Sequence, residues 1–293
     1  MPTGQREYRD RLFTFIFGSE EHRNWTLSLY NAVSGACYDD PDAVVITTIR
    51  EVLYLGMHND VSFLVANEMS LYEQQSTRCP NMPLRMLQYA GSIYEKHVQE
   101  RRMNKYGSRL LKLPAPRLVV FYNGERDAPE EEVLKLSDSF PKDANADIEV
   151  KVRVINVNPG MNERIKVSCE PLREYTWVVE EIRRNRESLD VATAIGKAID
   201  DMPEDFLIRS YLQAHKAEVR DMLLTEYNEA EAMELFREEG REEGREEGRE
   251  EGRDTATLGA VASIMHKLGY NAERALEFLD VPKADRARYL AML

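Results

Sequence analysis

The sequence predicts a mixed α/β fold with a helical C-terminal extension, and three observations predict it. Strand-like patterning, apolar or alternating, falls at residues 44–75, 118–122 and 148–157. A helix-periodic, proline-punctuated stretch separates the first two of these. From Leu172 to Phe236 the apolar spacing is helical, interrupted near Asn185, Asp190 and Met202-Pro203. Strands followed by a helix and a further strand imply a sheet flanked by helices, with the later helices packed on it or extending from it.

The elements follow in order. Glu7 to Val33 repeats Leu12, Ile16, Trp25, Leu29 and Val33 at helical spacing, with a break near Gly18-Ser19 and a stop at Ser34-Gly35. Asp39-Asp40-Pro41-Asp42 is a turn. Val44–Thr48 and Val52–Leu55 are β-branched and apolar, and Asp60–Val65 and Met69–Gln75 alternate. Pro80 and Pro83 introduce a helix over Leu84–Tyr106. Leu118–Tyr122 is an apolar strand stopped by Asn123-Gly124, and Ile148–Val157 alternates as another. The tail repeats Arg-Glu-Glu-Gly four times over 237–252. Interior glycines cost a helix roughly 1 kcal/mol each, which makes this segment a charged linker or marginal helix. Alternatively the glycines form a seam along which two helices approach, giving a homodimer through the C-terminal helices. Thr255–Leu268, Ala272–Leu279 and Lys283–Leu290 read as short helices. The expected organisation is a catalytic-type domain over 1–170, a helical extension over 171–236, the repeat over 237–253 and a small helical segment over 254–293.

Composition narrows the function. The 293 residues carry 39 Lys and Arg against 52 Asp and Glu, a net charge of −13. That acidity opposes a polyanionic partner. Its distribution does not: from Arg78 to Arg117 nine Lys or Arg stand against Glu95 and Glu100 alone. No apolar run is long enough to span a membrane, and the polar N-terminus lacks a signal-peptide core. Cys37, Cys79 and Cys169 form no CxxC pair and are expected to be reduced thiols. A cytoplasmic protein is the expectation. His22, His58, His97, His215 and His266 have no metal-ligand spacing.

Two alternating strands flank the polar turn Asn67-Glu68. A hairpin centred there sets Asp60 opposite Gln75 and Ser62 opposite Glu73, so Asp60, Glu73 and Gln75 share one face. Asp60 and Glu73 become diagonal neighbours about 7 Å apart. Two carboxylates so placed can share a hard divalent cation such as Mg²⁺. Such an ion activates water and stabilises charge in phosphodiester hydrolysis.

An acid opening one strand and a Glu-x-Lys ending the next resembles the core of PD-(D/E)XK nucleases. Here the motif stands as Asp60 and Glu73-Gln74-Gln75. Asn59-Asp60-Val61-Ser62-Phe63, Tyr72-Glu73-Gln74-Gln75-Ser76-Thr77, Asn81-Met82-Pro83-Leu84-Arg85 and Val120-Phe121-Tyr122-Asn123-Gly124 are similar to the Rpn-type recombination-promoting nucleases, also called YhgA-like transposases. The resemblance runs over about residues 5–250. It implies a restriction-endonuclease-like core and a Mg²⁺-dependent DNA endonuclease, with Mn²⁺ as a substitute, linked to recombination or mobile elements. It further implies Asp60, Glu73 and the Gln74 backbone carbonyl as metal ligands, with Gln75 in the lysine position. Asp10, or Glu7 one turn earlier, would complete the metal site. Arg85 and Tyr89, at i,i+4, resemble a substrate-holding pair. Arg101, Arg102, Lys105 and Arg109 become candidates for DNA-backbone contact. Glutamine orients water but carries no charge. A nuclease-fold protein that binds DNA or assembles without cutting is therefore the second reading.

Overall fold

The computed structural model describes residues 11–47 and 60–293. It divides into two compact units, Met1–Glu229 and Ala230–Leu293. The first is α/β: a six-stranded mixed sheet between helices.

The chain begins with α1 (Arg11–Phe17) and α2 (Arg23–Ser34). The break anticipated at Gly18-Ser19 separates them, and Gly35 ends α2 in the left-handed conformation at φ 73°, which glycine adopts without a Cβ penalty. The short β1 (Val45–Ile46) follows, and the segment 52–55 read as a strand lies outside the described residues. Next come β2 (Val61–Val65) and β3 (Glu68–Gln75), then α3 (Met82–Glu100). β4 (Ala115–Tyr122), β5 (Glu131–Lys135) and β6 (Lys151–Asn156) complete the sheet, in the order β1-β2-β3-β4-β6-β5. β1, β2 and β3 are antiparallel, whereas β4 runs parallel to β3 after the α3 crossover. β5 was not expected: Glu131, Glu132 and Lys135 leave it without a run of β-branched or apolar residues. It is an edge strand, where charge on the outer face is tolerated and guards against further pairing.

Alternation along each strand separates two cores. Val61, Phe63, Tyr72, Val119, Phe121 and Ile155 face α1 and α2. Met69, Leu71, Val120, Tyr122, Val152 and Val154 face α3, which presents Met82, Met86, Tyr89 and Ile93 at three- and four-residue intervals.

The hairpin register differs from the expected one. Val65 pairs with Glu68 and Val61 with Tyr72. The turn is therefore Ala66-Asn67 and not Asn67-Glu68. Ala66 sits at φ 52°, a conformation that disfavours alanine and so gave no turn signal. Continued by one residue, the register sets Asp60 level with Glu73 and not with Gln75. The shift spans two residues, so the predicted faces are unchanged.

The helical extension packs on the sheet. α4 (Glu163–Ser168), α5 (Glu170–Arg186), α6 (Val191–Asp200) and α7 (Arg209–Ala214) contribute Ile165, Leu172, Tyr175, Val178, Ile195, Ile199 and Leu212 to the same core as α1 and α2. Asp190 caps α6 by accepting from the Thr193 N–H at 3.1 Å. Glu174 on α5 is buried and accepts from the N–H groups of Leu207 and Ile208, each at 3.0 Å, ahead of α7. Its burial raises the carboxyl above its ordinary range.

α8 (Lys216–Leu268) runs as one helix through all four Arg-Glu-Glu-Gly repeats. A Cβ at Gly240, Gly244, Gly248 or Gly252 would meet no atom within 4 Å. In the second unit, α9 (Ala272–Phe278) and α10 (Lys283–Met292) fold onto the end of α8 around Val261, Leu276, Val281 and Tyr289. Buried Asp254 accepts there from the Tyr289 hydroxyl at 2.8 Å and pairs with Arg288.

Candidate active site

The segment 60–75 brings its two acids together. Asp60 and Glu73 retain 2% and 3% of their exposure, an unusual burial for carboxylates. The Asp60 N–H donates to Glu73 Oε1 at 3.3 Å, and the Gln74 N–H donates to Asp60 Oδ2 at 2.8 Å. Each acid is thus tied to the backbone of the other's strand.

Glu73 belongs to the α3 face of the sheet, and α3 places Arg85 over it. Arg85 Nη2 lies 3.6 Å from Glu73 Oε2. The guanidinium is held in turn by Tyr89, whose hydroxyl accepts from Nε at 3.2 Å and from Nη2 at 2.9 Å. The expected i,i+4 pair therefore joins the site, with Arg85 on the acid and Tyr89 fully buried beneath it. Gln75 lies on the same face, and its amide nitrogen is 2.8 Å from the Met82 sulfur at the start of α3.

Gln74 points the other way, as alternation requires. Its side-chain amide donates to Asn123, whose own amide donates to the Tyr175 hydroxyl at 3.1 Å. Arg183 of α5 donates to the Asn123 carbonyl. A buried polar chain under the sheet thus fixes the backbone unit that holds Asp60. Residue spacing gave no sign of this chain, although Asn123-Gly124 marks its place. A Cβ on Gly124 would meet the Ser76 carbonyl, the Tyr122 hydroxyl at 2.6 Å and the Tyr122 ring at 2.7 Å, so the ends of β3 and β4 can close only over glycine.

The donor set suits a hard divalent ion. Two buried carboxylates stand level on adjacent strands and so share one face of the sheet, and the Gln74 carbonyl shares the strand edge of its N–H, towards Asp60. Among the described residues no third acid, histidine or cysteine joins them. Asp10 and Glu7, the expected third donors, lie outside the described residues, as does His58. Cys169 lies in the core shared with α1 and α2, where burial pushes its thiol up to about 11.

The distal basic residues do not reach this site. Arg101 caps the far end of α3, sixteen residues beyond Arg85 and so roughly 24 Å along the axis. The helix stops there because Arg102 turns to φ 51°, leaving Lys105 and Arg109 in an exposed loop. Lys105 is bound to Glu95 at 2.6 Å. No helix among the described residues is long and apolar enough to cross a membrane.

No family model matches the chain, and neither a curated protein nor a solved structure matches it.

Proposed function

We propose that the chain is a metal-dependent DNA endonuclease of the PD-(D/E)XK type, hydrolysing phosphodiester bonds with Mg²⁺. The observation that carries the reading is the buried Asp60–Glu73 pair, level on adjacent antiparallel strands and backed by Arg85. The succession of helix, antiparallel three-strand meander, crossover helix and parallel strand supports the same core.

Asp60, Glu73 and the Gln74 carbonyl would hold the ion. When bound, it supplies positive charge for the phosphate and an acidified water. Other tasks belong to side chains. Gln75 accepts and donates hydrogen bonds and can orient the attacking water. It cannot supply the charge that lysine brings at this position in the wider motif. Arg85, aimed at Glu73 from α3, supplies that charge and can hold a phosphate oxygen through its fork. The polar chain through Asn123 and Tyr175 keeps Gln74, and with it Asp60, from drifting. Arg101, Arg102, Lys105 and Arg109 would meet the duplex backbone away from the cut. The resemblance implies a role for this activity in recombination or mobile-element turnover.

The test is nicking of supercoiled plasmid by the purified chain with Mg²⁺ or Mn²⁺. Cleavage is expected to vanish with EDTA and with Asp60→Ala. Cleavage that survives Asp60→Ala would refute the assignment. A second reading, a DNA-binding or assembly protein on a nuclease scaffold, draws on the missing lysine. Metal-independent, salt-sensitive DNA binding without nicking would select it.

A further inference from the structure

A concavity lies beside the carboxylates on the α3 face. It encloses about 410 Å³, within the range of small-ligand pockets. Gln75 lines it and also shares the face of Glu73, so the cavity and the carboxylate pair are neighbours. Tyr122, Leu134 and Val154 give it an apolar floor from three strands. Its rim carries both signs of charge: Arg78 and Arg126 against Asp127 and Glu132. Arg78 grips both Glu132 oxygens at 2.6 Å, which fixes the rim on one side. Arg126 makes no ion pair among the described residues.

This mixture argues against a phosphate, which two rim carboxylates would repel. It suits a flat, uncharged group with donors on one edge and acceptors on the next, that is, a nucleobase. Among the bases, guanine matches best. Its N1–H and N2 amino group form adjacent donors for a carboxylate, and its O6 and N7 accept from a guanidinium. Glu132 retains lone pairs beyond those engaged by Arg78, since a carboxylate offers about four acceptor sites.

We propose that this cavity receives a guanine turned out of a DNA strand, at the nucleotide flanking the phosphate over Asp60 and Glu73. The identity of that nucleotide rests on the nuclease reading; the binding of the base does not. Base extrusion costs unstacking energy, least in single-stranded or distorted DNA, so the site favours such substrates.

The experiment is a titration of the full-length chain with dGMP, dAMP, dCMP and TMP in EDTA, followed by amide NMR shifts. The expectation is saturable dGMP binding, roughly tenfold or more tighter than the other three, the discrimination of one bidentate edge contact. Leu134→Trp, which fills the cavity, and the milder Glu132→Gln should each weaken dGMP by a similar factor. Asp60→Asn should leave it unchanged. Equal binding of all four nucleotides, no saturable binding at millimolar dGMP, or indifference to Glu132→Gln overturns the proposal. The plasmid assay separates the two ideas. Selective dGMP binding without metal-dependent nicking would discard the nuclease and keep the cavity; nicking without dGMP selectivity would do the reverse.

Discussion

Replacing Arg85 by methionine tests whether the buried carboxylates depend on a cation. Arg85 Nη2 and Glu73 Oε2 are 3.6 Å apart. At an effective dielectric constant of about 20, unit charges at that distance attract by about 4.6 kcal/mol. Arg85 keeps 22% of its side-chain exposure, so water screens part of this, whereas Glu73 keeps 3%. Removing the cation strands a buried carboxylate beside a second one, which is the costly way to break an ion pair. Arg85→Met keeps the apolar stem in place, and in EDTA it should lower unfolding stability by about 2–4 kcal/mol in urea titrations. Part of that loss comes from the Tyr89 hydroxyl, which accepts from the same guanidinium. A double-mutant cycle with Glu73→Gln separates the two: in that background Arg85→Met should cost about 2 kcal/mol less. Mg²⁺ should compensate as well, because an ion on Asp60 and Glu73 replaces the missing charge. At a hundredfold excess over Kd it contributes about 2.7 kcal/mol, and Arg85→Met should gain more from it than the parent does. A coupling energy below about 0.5 kcal/mol, or equal Mg²⁺ responses, would show that Arg85 does not act through Glu73.

Other predictions concern the scaffold. Gly124→Ala forces a Cβ onto the Ser76 carbonyl and the Tyr122 ring, and should destabilise by about 2–3 kcal/mol with loss of nicking; a change below about 0.5 kcal/mol in urea would show that the β3–β4 junction can relax. Burial raises the Glu174 carboxyl, so its contribution is fully present below the ordinary glutamate value and is lost as pH rises through the elevated one. The stability of the parent relative to Glu174→Gln should accordingly fall as pH climbs from that ordinary value, and a difference that grows with pH would contradict the assignment. Alanine at Gly240, Gly244, Gly248 and Gly252 has open space around it. Each replacement should add up to about 1 kcal/mol of helix stability, seen as slower amide exchange over 237–253. Faster exchange would mean that the glycines serve the close approach of a second helix.

Much of the site was legible because strand alternation has a period of two. An error of two residues in the hairpin register left Asp60, Glu73 and Gln75 on one face, whereas an error of one would have dispersed them. Arg85 and Tyr89 were legible from their four-residue spacing, which fixes a shared helix face wherever the helix begins. The turn itself was not, because Ala66 carries none of the usual marks of positive φ. β5 was hidden by its charged outer face, and the continuity of α8 by its glycines. The basic run from Arg78 to Arg117 was misleading as a single feature. Three-dimensional structure divides it, since a 19-residue helix carries its two ends far apart. Arg85 goes to the acids and Arg101 to the opposite end.

The two faces of β3 share the work in a way that its sequence alone conceals. Glu73 and Gln75 look toward α3. Gln74, between them, looks into the core that contains α5, where Asn123 and Tyr175 hold it. A buried amide left without partners costs about 1–3 kcal/mol, so the chain through Asn123 resists any rotation of the Gln74 peptide. That peptide donates to Asp60 at 2.8 Å. The Gln74 contact to Asp60 is therefore held from the far side of the sheet. Asn123→Leu should test this: the carboxylates remain, but Asp60 loses its fixed partner. Metal affinity measured by calorimetry should fall about 10–100-fold, the usual effect of losing an outer-shell support. Unchanged metal affinity in a folded Asn123→Leu chain would detach the polar network from the site and leave it a core feature only.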